Sequence, residues 1–100
     1  MITADITVEE LKDRLAKGET PVIIDVREDW EHQETCIAGA QNIPLGALPQ
    51  RLDDLEDYKD QEVIVHCKSG MRSASAKAFL QQQGFTQVRN LLGGITAYNG

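Results

Sequence analysis

Two cysteines, Cys36 and Cys67, are all the chain has, and they stand singly rather than in closely spaced pairs. Such a pattern provides neither a disulfide framework nor a zinc site of paired thiols, so at least one thiol is left for chemistry. Long apolar runs are equally scarce. Stretches such as Val63-Ile64-Val65 fall far short of the ~18 residues that a membrane span needs. The first residues, Met1-Ile2-Thr3-Ala4-Asp5, lack a basic region leading into an apolar core, and the sequence predicts a soluble, cytoplasmic protein without a membrane partner. No acid follows Glu62. All 16 acidic residues lie within positions 1–62 beside six basic ones, a balance of −10, whereas 63–100 hold only Lys68, Arg72, Lys77 and Arg89, a balance of +4. The net charge of −6 argues against nucleic acid as a partner, because phosphate binding needs a basic surface.

What remains is a composition of ordinary globular kind, 41% hydrophobic and 26% charged over 100 residues, without repeats or low-complexity segments. One domain over 1–100 with one core is expected. Thr7 followed by Glu10 reads as a capping box for a helix carrying Val8, Leu11 and Leu15 and stopping at Gly18. Val22-Ile23-Ile24-Asp25-Val26 is apolar on both faces, as in a strand covered by helices on either side. A polar segment from Glu28 to Gly39 contains one irregular helical turn, and Gln41-Asn42-Ile43 is a short strand closed by Pro44. Leu48, Leu52 and Leu55 suggest a helix, Val63 to His66 a second buried strand, Ser73 to Gln83 a helix ending at Gly84, and Val88 to Leu91 a last strand. This alternation predicts a three-layer α/β/α sandwich around a mainly parallel sheet.

Cys67-Lys68-Ser69-Gly70-Met71-Arg72-Ser73 runs from the strand ending at His66 into a helix. Ligand sites in open α/β sheets lie at this place, beyond the carboxyl ends of the strands. A loop entering a helix start turns several backbone N–H groups toward one point, where the helix dipole adds positive potential. Gly70 supplies backbone freedom, Ser69 and Ser73 cap or donate, and Lys68 and Arg72 add full charges. Cys67 in such a cradle is expected to have a depressed pKa and to serve as a nucleophile; the alternative is a small core residue at a strand end. His66 adjoins it, but successive strand side chains point to opposite faces, so His66 is expected to pack or hydrogen-bond at the sheet edge rather than act as its base. His32 shows no recognisable partner.

Five segments in order give the chain a resemblance to the rhodanese homology domain. They are Thr7-Val8-Glu9-Glu10-Leu11, Ile24-Asp25-Val26-Arg27-Glu28, Ile37-Ala38-Gly39-Ala40-Gln41-Asn42-Ile43-Pro44, the loop Cys67 to Ser73, and Leu92-Gly93-Gly94-Ile95. The resemblance implies a central five-stranded sheet. It also implies a sulfurtransferase in which a Cys67 persulfide takes sulfane sulfur from thiosulfate or a persulfide donor and passes it to a thiol or cyanide-like acceptor. Lys68, Ser69, Gly70, Met71, Arg72 and Ser73 would bind the anionic sulfur group, with Lys68 and Arg72 attracting the donor. Asp25 and Arg27 would hold the loops around the site, and no metal or organic cofactor is required.

Where the family commonly carries histidine, this chain has Cys36, read here as a packed substitution. The alternative makes it a second thiol that receives sulfur from Cys67 or forms a reversible disulfide with it. Tyr98 stands where the family often has tryptophan. Two other functions compete. A noncatalytic or sulfur-carrier module would dock on a desulfurase, a thiolation enzyme or another sulfur-relay protein. A phosphatase of this fold would resemble its kin in placing five residues between cysteine and arginine, whereas Cys67 and Arg72 enclose four, Lys68 to Met71.

Overall fold

Val22–Asp25 (β1) and Glu62–His66 (β3) are neighbouring parallel strands in a computed structural model that describes residues 3–100, paired from Val22 with Val63 to Asp25 with His66. Met1 and Ile2, where the segment read for a leader begins, lie outside the described residues. The β-branched side chains of both strands are stiff and fit a pleated surface, and being apolar on both faces they require cover on both. Gln41–Asn42 (β2) pairs with β1 and Gln87–Asn90 (β4) with β3, giving the all-parallel order β2-β1-β3-β4. The chain therefore leaves β1 toward one edge and β3 toward the other, which opens a crevice at their carboxyl ends.

The sheet has four strands rather than the five expected. In the fifth place stands a single parallel bridge between Ile6 and Leu91. The Ile6 N–H donates to the Asn90 carbonyl at 3.0 Å, and the Ile6 carbonyl accepts from the Leu92 N–H at 2.9 Å. The pairing stops there because Thr7 already caps the next helix, its hydroxyl accepting the Glu10 N–H at 3.1 Å.

That helix, Val8–Ala16 (α1), covers one face together with Gly94–Asn99 (α4), where Leu11 and Ile95 pack over Ile23 and Ile64. Met71–Gln82 (α3) and the segment Leu45–Tyr58 cover the other, with Leu80 and Leu55 over Ile24 and Val65. Each of these buried side chains contributes roughly 1.5–3 kcal/mol by leaving water. Leu45–Tyr58 is a 3₁₀ helix with Pro49 inside it. Proline has no N–H to give an α-helical ladder and crowds the preceding turn, so the leucines at helical spacing are buried along a tighter path. Asp29–Glu34 (α2) is the polar turn after β1 and lies beside the crevice.

Candidate functional site

Cys67 directly follows β3 and is 1% exposed, its side chain on the face of Val63 and Val65. The following loop turns back over the sulfur. The Gly70 N–H donates to Sγ at 3.0 Å, and the Ser73 hydroxyl lies 3.3 Å from it in the first turn of α3. Gly70 makes this possible with φ of 113°, a conformation that L side chains rarely adopt. The loop's outward carbonyls are anchored from the far side. Those of Cys67 and Lys68 accept from the Ile95 and Thr96 N–H groups at 2.9 and 3.1 Å.

Burial pushes the Cys67 thiol up, but the Ser73 hydroxyl and the backbone N–H groups of Ser73, Gly70 and Ser69 outweigh it, and the pKa lies below the ordinary cysteine value. Ser73 has one hydroxyl proton and two neighbours that would take it, Sγ and the Asn90 Oδ1 at 2.6 Å. Opposite a neutral thiol, Ser73 can donate to Asn90 and accept from S–H; opposite a thiolate, its proton turns to sulfur. Asn90 also donates to the Gly70 carbonyl at 3.1 Å, so one side chain at the end of β4 holds both the loop and its hydroxyl donor.

The other loop side chains are placed in different ways. Met71 is 81% exposed, and Lys68 is exposed without a carboxylate partner among the described residues. Arg72 is already engaged. Its Nη1 and Nη2 donate to Glu31 Oε1 and Oε2 at 2.7 and 3.0 Å, and these bonds, against a smaller opposing effect of burial, hold the Glu31 pKa at about 2.

Asp25 and Arg27 lie where β1 meets the crevice, both buried. Arg27 Nε and Nη2 donate to Asp25 Oδ1 and Oδ2 at 2.9 and 2.7 Å, and Nη2 reaches the Thr35 carbonyl at 2.7 Å. Burial pushes the Asp25 carboxyl up, yet the bonds from the Arg27 side chain and backbone and from His32 keep its pKa low. The pair thus ties the end of β1 to the end of α2.

Three expectations change. His32 does have a partner: its Nδ1 lies 2.9 Å from Asp25 Oδ2. His66 is fully buried at the end of a central strand rather than at an edge of the sheet. Burial lowers its pKa despite Asp25 nearby, its Nε2 lacks a hydrogen-bond partner, and it shares no face with Cys67. Cys36 is exposed, not packed, because it follows the C-cap residue of α2 on the solvent side.

Sequence reasoning missed Glu31 and Asn90. Asn90 left one trace, a polar residue two positions after the inward Val88 and therefore on the same covered face; the partnership of Glu31 with a residue 41 positions away left none. It also missed a cleft of about 290 Å³ beside the loop, between α2 and α4, walled by Trp30, Glu34, Lys68, Thr96 and Asn99. The arrangement is a buried cysteine whose ionised form is favoured by surrounding N–H and O–H donors, in a loop whose Lys68 lines an open cleft, a setting that suits a thiol nucleophile and the holding of an anion.

Residues 7–100 match the family described as rhodanese-like domain. A protein of Allochromatium vinosum named sulfurtransferase is 38% identical over 94 residues, covering 94% of this chain and 86% of the relative. Bacillus subtilis YrkF, provisionally named a sulfur carrier protein, is 33% identical over 96 residues, covering 96% of this chain and 51% of its own length. Among solved structures, a rhodanese-like domain protein from Staphylococcus aureus superposes with a TM-score of 0.83 at 32% identity, covering 97% of this chain and 91% of that one.

Proposed function

The chain belongs to the rhodanese-like domain family, and from that footing we propose that it is a sulfurtransferase carrying sulfane sulfur as a persulfide on Cys67. The observation that bears most weight is the buried Cys67 Sγ receiving the Gly70 N–H at 3.0 Å inside a loop at the carboxyl ends of β1 and β3. In the first half-reaction the thiolate attacks the outer sulfur of thiosulfate or of a persulfide. One S–S bond forms on Cys67, the donor's S–S bond breaks, and its electron pair leaves with sulfite or with the donor thiolate. In the second, a thiolate or cyanide-like acceptor takes the outer sulfur and Cys67 leaves as thiolate, so no external oxidant or reductant is consumed. Kinetics are ping-pong. Ser69, Gly70 and Ser73 support the charge on sulfur, and Lys68 meets the anionic donor.

The reading takes residues 1–100 as one domain working in the cytoplasm, where a lone reactive thiol stays reduced. Among the described residues no helix is long and apolar enough to cross a membrane. Its test is intact-mass analysis after incubation with thiosulfate. Wild type gains one sulfur atom, mapped to Cys67, whereas Cys67→Ser folds and gains none because an alcohol cannot hold sulfane sulfur. Sulfur transfer by a folded Cys67→Ser protein removes the mechanism.

A carrier that works only with a docked partner is the second reading, favoured by the name given to YrkF. Turnover with a small thiol acceptor and no partner protein separates the two.

A further inference from the structure

Two guanidinium groups stand at the crevice, and neither presents an uncompensated charge. Arg27 is held by Asp25, and Arg72 by Glu31 in a two-bond pair at 2.7 and 3.0 Å. Glu31 lies in the first turn of α2, where its Oε1 also accepts the Glu28 N–H at 3.0 Å, so the carboxylate is fixed from its own helix as well as from the loop. Its side chain is 12% exposed. Glu34 lines the same cleft as Lys68. Among the described residues Lys68 is thus the one cation of the loop without a carboxylate partner.

We propose that Glu31 is a specificity-determining residue, whose carboxylate neutralises the loop's Arg72 and so disfavours dianionic sulfur donors such as thiosulfate relative to monoanionic ones. The inference rests on the sulfurtransferase reading and deepens it. Electrostatic attraction scales with the product of the charges, so a dianion loses twice what a monoanion loses when one cation is cancelled. The dianion also has the stronger hydration shell to give up on entering a partly buried site. Lys68 alone matches one negative charge. An alkyl thiosulfonate offers the same outer sulfur as thiosulfate on a monoanion: Cys67 takes that sulfur, the S–S bond breaks, and the electron pair leaves with sulfinate instead of sulfite.

The experiment compares loading of Cys67 from thiosulfate and from methanethiosulfonate in wild type, Glu31→Gln, and the double variant Glu31→Gln with Arg72→Ala. Glutamine keeps an oxygen for the Glu28 N–H while removing the charge. In Glu31→Gln, kcat/KM for thiosulfate should rise by about tenfold and for methanethiosulfonate by about threefold. The double variant should lose the gain. A ratio of the two donors that stays at the wild-type value in folded Glu31→Gln overturns the role of Glu31, as does a gain that survives without Arg72. Wild type alone supplies a second reading: its thiosulfate kcat/KM should fall with salt no more steeply than for one cation, and a slope of two cations overturns the neutralisation even if Glu31→Gln does not fold. Absence of any sulfur gain in wild type from either donor would instead remove the sulfurtransferase reading itself.

Discussion

At the scale of one residue, a single hydroxyl proton bears on the ionisation of Cys67. Ser73 lies 2.6 Å from Asn90 Oδ1 and 3.3 Å from Cys67 Sγ, so its one proton can serve Asn90 while the thiol is neutral and turn to sulfur when it ionises. This stabilises the thiolate against the burial that opposes it. Because the native pKa is lowered, the native state binds fewer protons than the unfolded one between the two values. The associated stability is present above the unfolded cysteine value and is lost as pH falls through the native one. Ser73→Ala removes the hydroxyl and keeps the backbone N–H. The pH midpoint of thiolate absorbance, followed in a Cys36→Ala background so that one thiol reports, should move upward. Loading at neutral pH should slow by about fivefold, the equivalent of one hydrogen bond of ~1 kcal/mol. A midpoint that stays in place or moves down would show that the backbone donors act alone.

Among the elements, the contact that matters most for the site is the seating of α4 on the Cys67 loop. Gly94 has φ of 59°, and a Cβ there would fall 2.5 Å from the Lys68 carbonyl oxygen and 2.6 Å from that of Cys67. Both are backbone atoms that cannot turn aside, so Gly94→Ala must displace the loop. It should destabilise by ~2–4 kcal/mol and slow loading as well. Gly39→Ala is the control: φ is 85° and nothing lies within 4 Å, so strain alone should cost about 1 kcal/mol and leave loading unchanged. Denaturant midpoints and single-turnover rates for both variants check this, and equal effects of the two would refute the clash.

The same elements show which parts of the fold are legible in the sequence. β1 and β3 read as unbroken apolar runs because both faces are covered, and α1 reads from Thr7 and its spaced apolar residues because capping is local. The Cys67 loop is legible by its position after a strand and by Gly70. The 3₁₀ path of Leu45–Tyr58 is hidden, since leucines at α-helical spacing remain buried in it, and the lone bridge at Ile6 is shorter than any periodicity. The pairing of Arg72 with Glu31 depends on α2 lying beside α3, which only the assembled sheet decides.

Across the whole molecule, the charge asymmetry of the sequence becomes a set of ties between its two parts. Of the four basic residues after position 62, Arg72 meets Glu31, Lys77 meets Asp5, and Arg89 meets Glu10 and Glu62, whereas Lys68 alone faces the cleft unpaired among the described residues. The basic end is therefore tied mostly into the fold, with Lys68 left at the cleft. Arg89 is the clearest case. It donates to Glu10 at 2.8 Å, to Glu62 at 2.9 Å and to the Ala4 carbonyl at 2.8 Å, joining β4 to β3, to α1 and to the segment before it. Glu62 also takes two bonds from Arg14, at 2.6 and 2.8 Å, so removing Arg89 leaves that carboxylate compensated. Arg89→Ala should lower stability by about 1–3 kcal/mol, within the range of hydrogen bonds to charged groups at a partly exposed site. Urea is the suitable denaturant because it does not screen charge. The gap between wild type and variant should narrow as sodium chloride is added, and loading of Cys67 from thiosulfate should keep its rate. A slowed loading step at an unchanged urea midpoint would assign Arg89 to the site instead of to the joining of the two halves.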